Sequence, residues 1–256
     1  MSSNSFLKIV QIFYSIIIWL FLVVTCIPHF LIDFTIWLLT FWFDKRTWIL
    51  HRYSIFWAYF YIWTNPLWRI DVKGRENIKK GKTYVFVSNH QSALDIVVLY
   101  GLRTHFKWIA KRELFKVPVV GWNLMLNRHI SIDRNSPRSA AKMMQKALNH
   151  LKQGSSILVF PEGTRSTDGE IKRFKDGAFL IAKKAEVSII PVVINGTLKT
   201  LPKSGLIGFK QTFVIRILPE IPYESFKDKS TTDIAKEMHQ LMVEKHREIA
   251  PEYYKS

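Results

Sequence analysis

In the stretch "VSNHQSALDIVVL", residues 87–99, His90 stands five positions before Asp95. An imidazole steadied by a carboxylate can take the proton of a hydroxyl as that hydroxyl attacks an acyl group, help worth about 10²–10⁴ in rate. The spacing alone does not decide the matter. With 8 histidines and 20 acidic residues in 256, chance supplies about half of one such pair. His239 and Glu244 show it too, so the surroundings have to separate them. His90 follows the β-rich run "TYVFVS" (83–88) and precedes "ALDIVVLYG", which reads as a helix ending at Gly101. That places it at the mouth of a sheet, where α/β sites lie. Asp95 falls in the first turns of the helix, a position that favours a carboxylate and lets it turn back to the ring. The plainer alternative is that Asn89 and Asp95 only cap the helix. His239 and Glu244 fall within an amphipathic helix that starts at Ser230-x-x-Asp233 and lines up Ile234, Met238, Leu241 and Met242. Their i,i+5 offset leaves them misaligned, and they are expected to be solvated bystanders.

A second cluster lies seventy residues on, in "FPEGTRS" (160–166), where the strand "SILVF" gives way to a turn. Gly163 permits close backbone approach or positive φ, and Arg165 offers a planar fork of donors to a phosphate. Glu162 suits an anion pocket only if it holds a basic side chain in place. Lys175, in "FKDGAF", precedes a helix start, another place suited to anions. Arg134 ends "SIDR" at a strand terminus. The alternative is an ordinary polar turn with a surface salt bridge.

Other chemistries lack their residues. There is no Gly-x-Ser-x-Gly elbow around Ser88 or Ser92 and no His-Glu-x-x-His. The one cysteine, Cys26, makes neither a disulfide framework nor a zinc site and is expected to be inert packing. Neither Gly-x-Gly-x-x-Gly nor a P-loop occurs, so no cofactor or metal is expected.

These groups need a frame and a location. "FKWIA", "HISI" (129–132), "SILVF" (156–160), "SIIPVVI" and "TFVIRIL" read as further strands. Ser136 and Pro137 start a helix that runs to about Lys152, and another lies near Ala178–Ala185. Strands alternating with helices predict an α/β body with a mixed, largely buried sheet flanked by helices. Ahead of it, the 24 residues Ile9–Ile32 carry no charge, enough as a helix of roughly 36 Å to cross a hydrocarbon core of about 30 Å. They do not read as a cleaved secretory signal, having only Lys8 before them and no small-x-small site after. Pro28 is expected to break or kink the helix, with a second apolar stretch at Phe34–Phe43. "WILHRYSIFWAYFYIWTNPLW" follows, aromatic and sparsely basic as at a headgroup interface. One full span and a pair of helices embedded from one face fit equally well. The seam with the body is placed at Asn65-Pro66, giving an anchoring segment 1–65 and a body 66–256. The net charge of +17 is uneven, −1 over residues 1–44 and +18 over the rest. Such a body suits an anionic partner such as phospholipid, and Lys45, Arg46 and Arg52 place it on the cytosolic side, at the inner membrane if the source is bacterial. No nucleic-acid motif accompanies the charge, and no nucleic-acid partner is expected.

Five ordered blocks, "NHQSALD", "AKRELFKVPVVGW", "ISIDR", "FPEGTRSTDGEIKRFKDGAF" and "IIPVVI", resemble the 1-acyl-glycerol-3-phosphate acyltransferase family over roughly residues 70–200. The resemblance implies that His90 is the base and Asp95 its partner. It also implies that Arg134 and the block Glu162, Gly163, Thr164, Arg165 bind the acceptor's phosphate, that Pro191 is structural, and that an N-terminal helical anchor precedes the α/β body. The second block departs from the Gly-x-Ile-Phe-Ile-Asp-Arg common in the family, with Arg128 and Ser131 in place of Gly and Phe. The expected reaction is acyl transfer from a thioester of coenzyme A or acyl carrier protein to the free sn-2 hydroxyl of lysophosphatidic acid. The oxyanion donors are sought among amides starting the 92–101 helix. Glycerol-3-phosphate or another lysophospholipid as acceptor, and a non-catalytic lipid-binding protein, are the alternatives.

Overall fold

The computed structural model describes residues 3–202 and 205–254. The apolar N-terminal run forms one helix, α1 (Ser3–Thr40), and Pro28 does not interrupt it. The reason is packing on both sides of the proline. Gln11, Ser15, Thr25, His29 and Asp33 recur at helical spacing and all face the protein. Gln11 and Ser15 bond the backbone of Ile207, His29 Nδ1 and the Tyr53 hydroxyl lie 2.7 Å apart, and Asn123 donates to Asp33. Pro28 is exposed, just over a quarter-turn round the helix from the buried His29. The remaining faces are apolar and open, with Ile16 and Leu20 more than half exposed. The helix is long and apolar enough to cross a membrane.

The aromatic stretch after it is a regular helix, α2 (Trp48–Trp63). It folds back on α1, with His29 stacked on Trp57 and Phe21 on Phe60. Leu50, Ala58 and Ile62 point into the body and are buried. A buried lysine ties the turn between the two helices to the sheet. Lys107 Nζ donates to Arg46 O, Thr47 Oγ1 and Asn127 O at 2.5–2.8 Å, which gives each of its three N–H bonds an acceptor.

The sheet has seven strands: β1 (Trp68–Lys73), β2 (Val85–Ser88), β3 (Phe106–Lys111), β4 (Ile130–Ile132), β5 (Ser156–Val159), β6 (Ile189–Asn195) and β7 (Gln211–Ile217). Their order is β1-β7-β6-β2-β5-β3-β4. β6 and β7 pair antiparallel and all other neighbours pair parallel, so the mixed α/β sheet read from the sequence is what forms. β1 escaped that reading because "WRIDVK" does not alternate cleanly between buried and exposed positions. Period-two alternation then fills both faces of the centre. Val85 and Val87 enter one core, under α5 (Pro137–Lys152), α6 (Gly177–Ala185) and α8 (Thr231–Ile249), while Phe86 enters the other, beneath α2 and the short α3 (Asp95–Leu99). Two further short helices, α4 (Val120–Leu126) and α7 (Thr197–Thr200), sit in the connections. Ser136 Oγ accepts Ser139 N–H and Ser230 Oγ accepts Asp233 N–H, so both caps predicted from sequence start their helices. His239 is not a solvated bystander: its Nε2 bonds Ile171 O at 3.1 Å and its ring meets Phe174 edge-on. A polar residue at the rim of an amphipathic stripe is half-buried when a loop crosses over it, which helical periodicity does not reveal; Glu244 stays exposed, as expected.

Candidate active site

The C-terminal ends of β2, β3, β4 and β5 converge on a cavity of about 380 Å³. β2 delivers His90 to its edge. The side chain of Asn89 pairs with both backbone groups of Ile194, as a strand residue would, and so extends the β2–β6 ladder by one position. Gln91 bonds Thr197 and His246, and Ser92 Oγ donates to Leu201 O at 2.7 Å. With its neighbours fixed in this way, His90 has its backbone held on both sides. Its N–H donates to Glu162 Oε1 at 2.7 Å and its carbonyl accepts Ser166 N–H at 2.8 Å. The ring stacks on Phe160 with centroids 4.0 Å apart, and Phe160 stacks in turn on Trp108.

His90 Nδ1 lies 2.7 Å from Asp95 Oδ2. That same oxygen accepts the N–H groups of Gln91 at 2.7 Å and Ser92 at 2.9 Å. The carboxylate is fully buried, while the imidazole keeps 14 % of its side-chain surface exposed. Asp95 is therefore both a cap for the loop before α3 and the partner of His90, so the two readings of the pair are compatible. With an acceptor on Nδ1, the proton sits there and Nε2 is left as the basic nitrogen. The Gln91 and Ser92 amides are committed to Asp95, which leaves that of Ala93, a residue lining the cavity, as the amide at this helix start still placed to serve as an oxyanion donor.

Arg134, Thr164 and Arg165 line the same cavity as His90. Arg134 follows β4, and the turn after β5 carries the other two. Lys175 and Gly163 lie next to it and not in its wall. A Cβ on Gly163 would sit 3.2 Å from Lys175 Nζ, and its φ of +71° is one that glycine adopts readily. Lys111, at the end of β3, also faces the cavity. It was not singled out from the sequence, although its place at the C-terminal end of a parallel strand is where such residues gather. Ala93, Ile96, Trp108, Leu114, Leu124 and Phe160 make the rest of the wall apolar.

Glu162 differs from its neighbours in the block. It is 4 % exposed, with Oε1 on His90 N–H and Oε2 on Lys172 N–H at 2.9 Å. It grips two backbone segments, not an arginine or lysine side chain, and so positions the base instead of meeting an anion. Burial pushes its carboxyl up to about 7, against the pull of the two amides. A carboxyl raised above its ordinary 4.5 favours the folded state fully below pH 4.5, and that contribution is lost as pH rises through about 7. The whole span amounts to about 3 kcal/mol. Glu162→Gln removes the titration, so the melting temperature of the unsubstituted protein relative to the variant should fall between pH 5 and 8. Parallel pH profiles in a thermal melt would contradict this.

Arg128 stands where the family pattern has glycine, and its φ is +55°. The left-handed turn survives because it closes α4: His129 N–H bonds Leu124 O and Arg128 N–H bonds Met125 O. A bond from Arg128 Nη1 to Lys45 O, 2.9 Å, helps offset a backbone cost of about 1–2 kcal/mol. The departure leaves Arg134 in the cavity.

The acyltransferase family model matches residues 69–195, which contain both halves of the site. The chain is 36% identical over 178 residues to the chloroplastic 1-acyl-sn-glycerol-3-phosphate acyltransferase LPAT1 of Arabidopsis thaliana, covering 69% of this chain and 49% of that one. It therefore spans about half the length of this plant relative. With the 1-acyl-sn-glycerol-3-phosphate acyltransferase of Pseudomonas aeruginosa it shares 32% identity over 199 residues, 76% of this chain and 77% of the relative. The crystal structure of the 1-acyl-sn-glycerophosphate (LPA) acyltransferase PlsC from Thermotoga maritima superposes with a TM-score of 0.78 at 25% identity, over 94% of this chain and 97% of that one. With the His90–Asp95 pair, the basic turn and the four strands whose ends carry them all inside the matched region, the chain belongs to the 1-acyl-sn-glycerol-3-phosphate acyltransferase family.

Proposed function

We propose that the protein is an O-acyltransferase that moves an acyl chain from a thioester of coenzyme A or acyl carrier protein to the sn-2 hydroxyl of lysophosphatidic acid. The observation that carries this is one cavity lined by His90, which Asp95 backs from its buried position, by two arginines and by an apolar wall. Arg165 and Arg134, aided by Thr164 and Lys111 with Lys175 nearby, hold the acceptor phosphate and so place its hydroxyl beside His90, an orientation effect that can be large. His90 Nε2 takes the hydroxyl proton as the oxygen attacks the thioester carbonyl, and Asp95 steadies the imidazolium. The tetrahedral intermediate collapses with loss of the C–S bond, and His90 returns its proton to the departing thiolate. No enzyme nucleophile is required, and Ser92 Oγ is bound to Leu201 O.

Residues 1–65 act as the membrane anchor and 66–256 as the catalytic body. α1 touches the body along its length, from Gln11 at Ile207 to Asp33 at Asn123, which supports α1 and α2 embedded together from the cytosolic face. α4 borders the cavity through Leu124, meets α1 where Trp122 packs on Phe30, and exposes Val120 and Met125. Such a surface lets a lipid acceptor reach the site without leaving the bilayer. The test is product formation by the purified protein in detergent with acyl-coenzyme A or acyl carrier protein thioesters, offered lysophosphatidic acid, other lysophospholipids and glycerol-3-phosphate. Fastest turnover is expected with lysophosphatidic acid, and absence of ester product with every acceptor would refute the assignment.

A further inference from the structure

A larger cavity, about 590 Å³, opens at the other end of the parallel strands, where Lys82 and His105 lead into β2 and β3 and Ser156 begins β5. β3 separates the two sites by about 20 Å at roughly 3.3 Å per residue. Among the described residues no carboxylate lines this cavity. Lys79 and Lys82 at its rim share Glu220, whereas among the described residues Arg46, Arg52, Arg75, Lys80 and Arg103 have no carboxylate within ion-pair distance. Arg75 is held in position by Gly101 O and the Tyr59 hydroxyl, and Arg103 lies over the Tyr59 ring. The buried ring of His51 completes the lining, with Nε2 on Thr104 O and Nδ1 unpartnered. Burial, then His51, Lys107 and Arg46, hold the neighbouring His105 imidazole down at about 2.

The cavity is not closed on itself. Arg52, Ile55 and Arg103 also line an adjoining groove of about 290 Å³ that continues along α2 past Phe56 and Trp63, both largely exposed. Basic pocket and aromatic groove together have the polarity of a phospholipid, headgroup first and acyl chain behind.

We propose that this end of the sheet binds an anionic glycerophospholipid of the surrounding bilayer, its phosphate among Arg52, Lys80 and Arg103 and a chain along Phe56 and Trp63. The site is separate from the acceptor cavity and rests on the reading of α1 and α2 as membrane-embedded. A bound lipid here would hold the helix pair against the sheet and fix how the catalytic cavity meets the membrane.

Native mass spectrometry of the full chain in detergent tests this, with phosphatidylglycerol and phosphatidylcholine of equal chain length as probes. Phosphatidylglycerol should be retained preferentially, and equally so by an Arg134→Ala/Arg165→Ala variant whose acceptor site is disabled. Arg52→Ala/Lys80→Ala/Arg103→Ala, all at exposed positions, should weaken its retention about a hundredfold, at roughly 1 kcal/mol per base, while Arg52→Lys/Arg103→Lys should retain most of it. Equal retention of both lipids, or a preference abolished by the acceptor-site variant and kept by the triple variant, would overturn the proposal. Complete displacement of phosphatidylglycerol by millimolar inorganic phosphate would overturn it as well, marking the cavity as a free-phosphate site. Catalytic inactivity with intact lipid retention would indict the acyl-transfer reading alone.

Discussion

His90→Ala is expected to lower turnover about 10²–10⁴-fold, the range that a positioned general base contributes, with little change in melting temperature. The near-neutral stability follows from the hydrogen bonds. The backbone contacts of His90 to Glu162 and Ser166 do not use its ring, and Asp95 Oδ2 keeps the Gln91 and Ser92 amides when the imidazole is gone. Asp95→Ala should behave differently. It strips those two buried amides of their acceptor, at about 1–3 kcal/mol for each group left unsatisfied, so it should lose stability and activity together. The contrast separates a base from a structural residue: one variant is folded and inactive, the other inactive and loosened. Single-turnover rates beside thermal melts on the same preparations supply both readings. His90→Ala turnover within a few-fold of the unsubstituted protein would remove His90 as the base.

The positions that the sequence made legible are those where local pattern and tertiary role coincide. β2, β5 and β6 are short apolar runs, and they became the buried centre of the sheet. Ser136 and Ser230 announced their helices through cap chemistry that acts within four residues. His90 and Asp95 could be paired because one loop carries both. What stayed hidden depends on contacts between distant segments. Glu162 looks like part of an anion-binding turn until the backbone of His90, 72 residues away, is found on its carboxylate. Pro28 reads as a helix breaker until the docked stripe on either side of it is seen. Lys111 has no local signature, and only the convergence of four strand ends places it in the same cavity as Arg165. The basic cavity at the far end draws on the α1–α2 turn, α2, the turn after β1 and the approaches to β2, β3 and β5; the turn after β1, with Arg75, Lys79, Lys80 and Lys82, is basic in the sequence, but nothing local shows that Arg46, Arg52 and Arg103 gather beside it.

Arg165→Ala should raise the acceptor KM about 10–100-fold while leaving the donor KM within about twofold, since a charge-assisted bond to phosphate is worth about 1.5–3 kcal/mol. The loop geometry makes the loss larger than one contact. Glu162 and Ser166, on either side of Arg165, both bond the backbone of His90, so the guanidinium and the base are set by the same short segment. A phosphate held by Arg165 is thereby registered against Nε2, and losing it should lower kcat as well, through the orientation of the hydroxyl. Arg165→Lys keeps the charge and loses the planar fork. It should recover much of the binding and less of kcat, a split that a merely structural arginine would not produce. Arg134→Ala shares the same anion, so the double variant should lose less than the product of the single losses. Initial rates in mixed micelles, with acceptor varied at saturating donor and then the reverse, measure kcat and both KM values. If donor and acceptor KM rise together, Arg165 belongs to the scaffold of the loop and another group holds the phosphate.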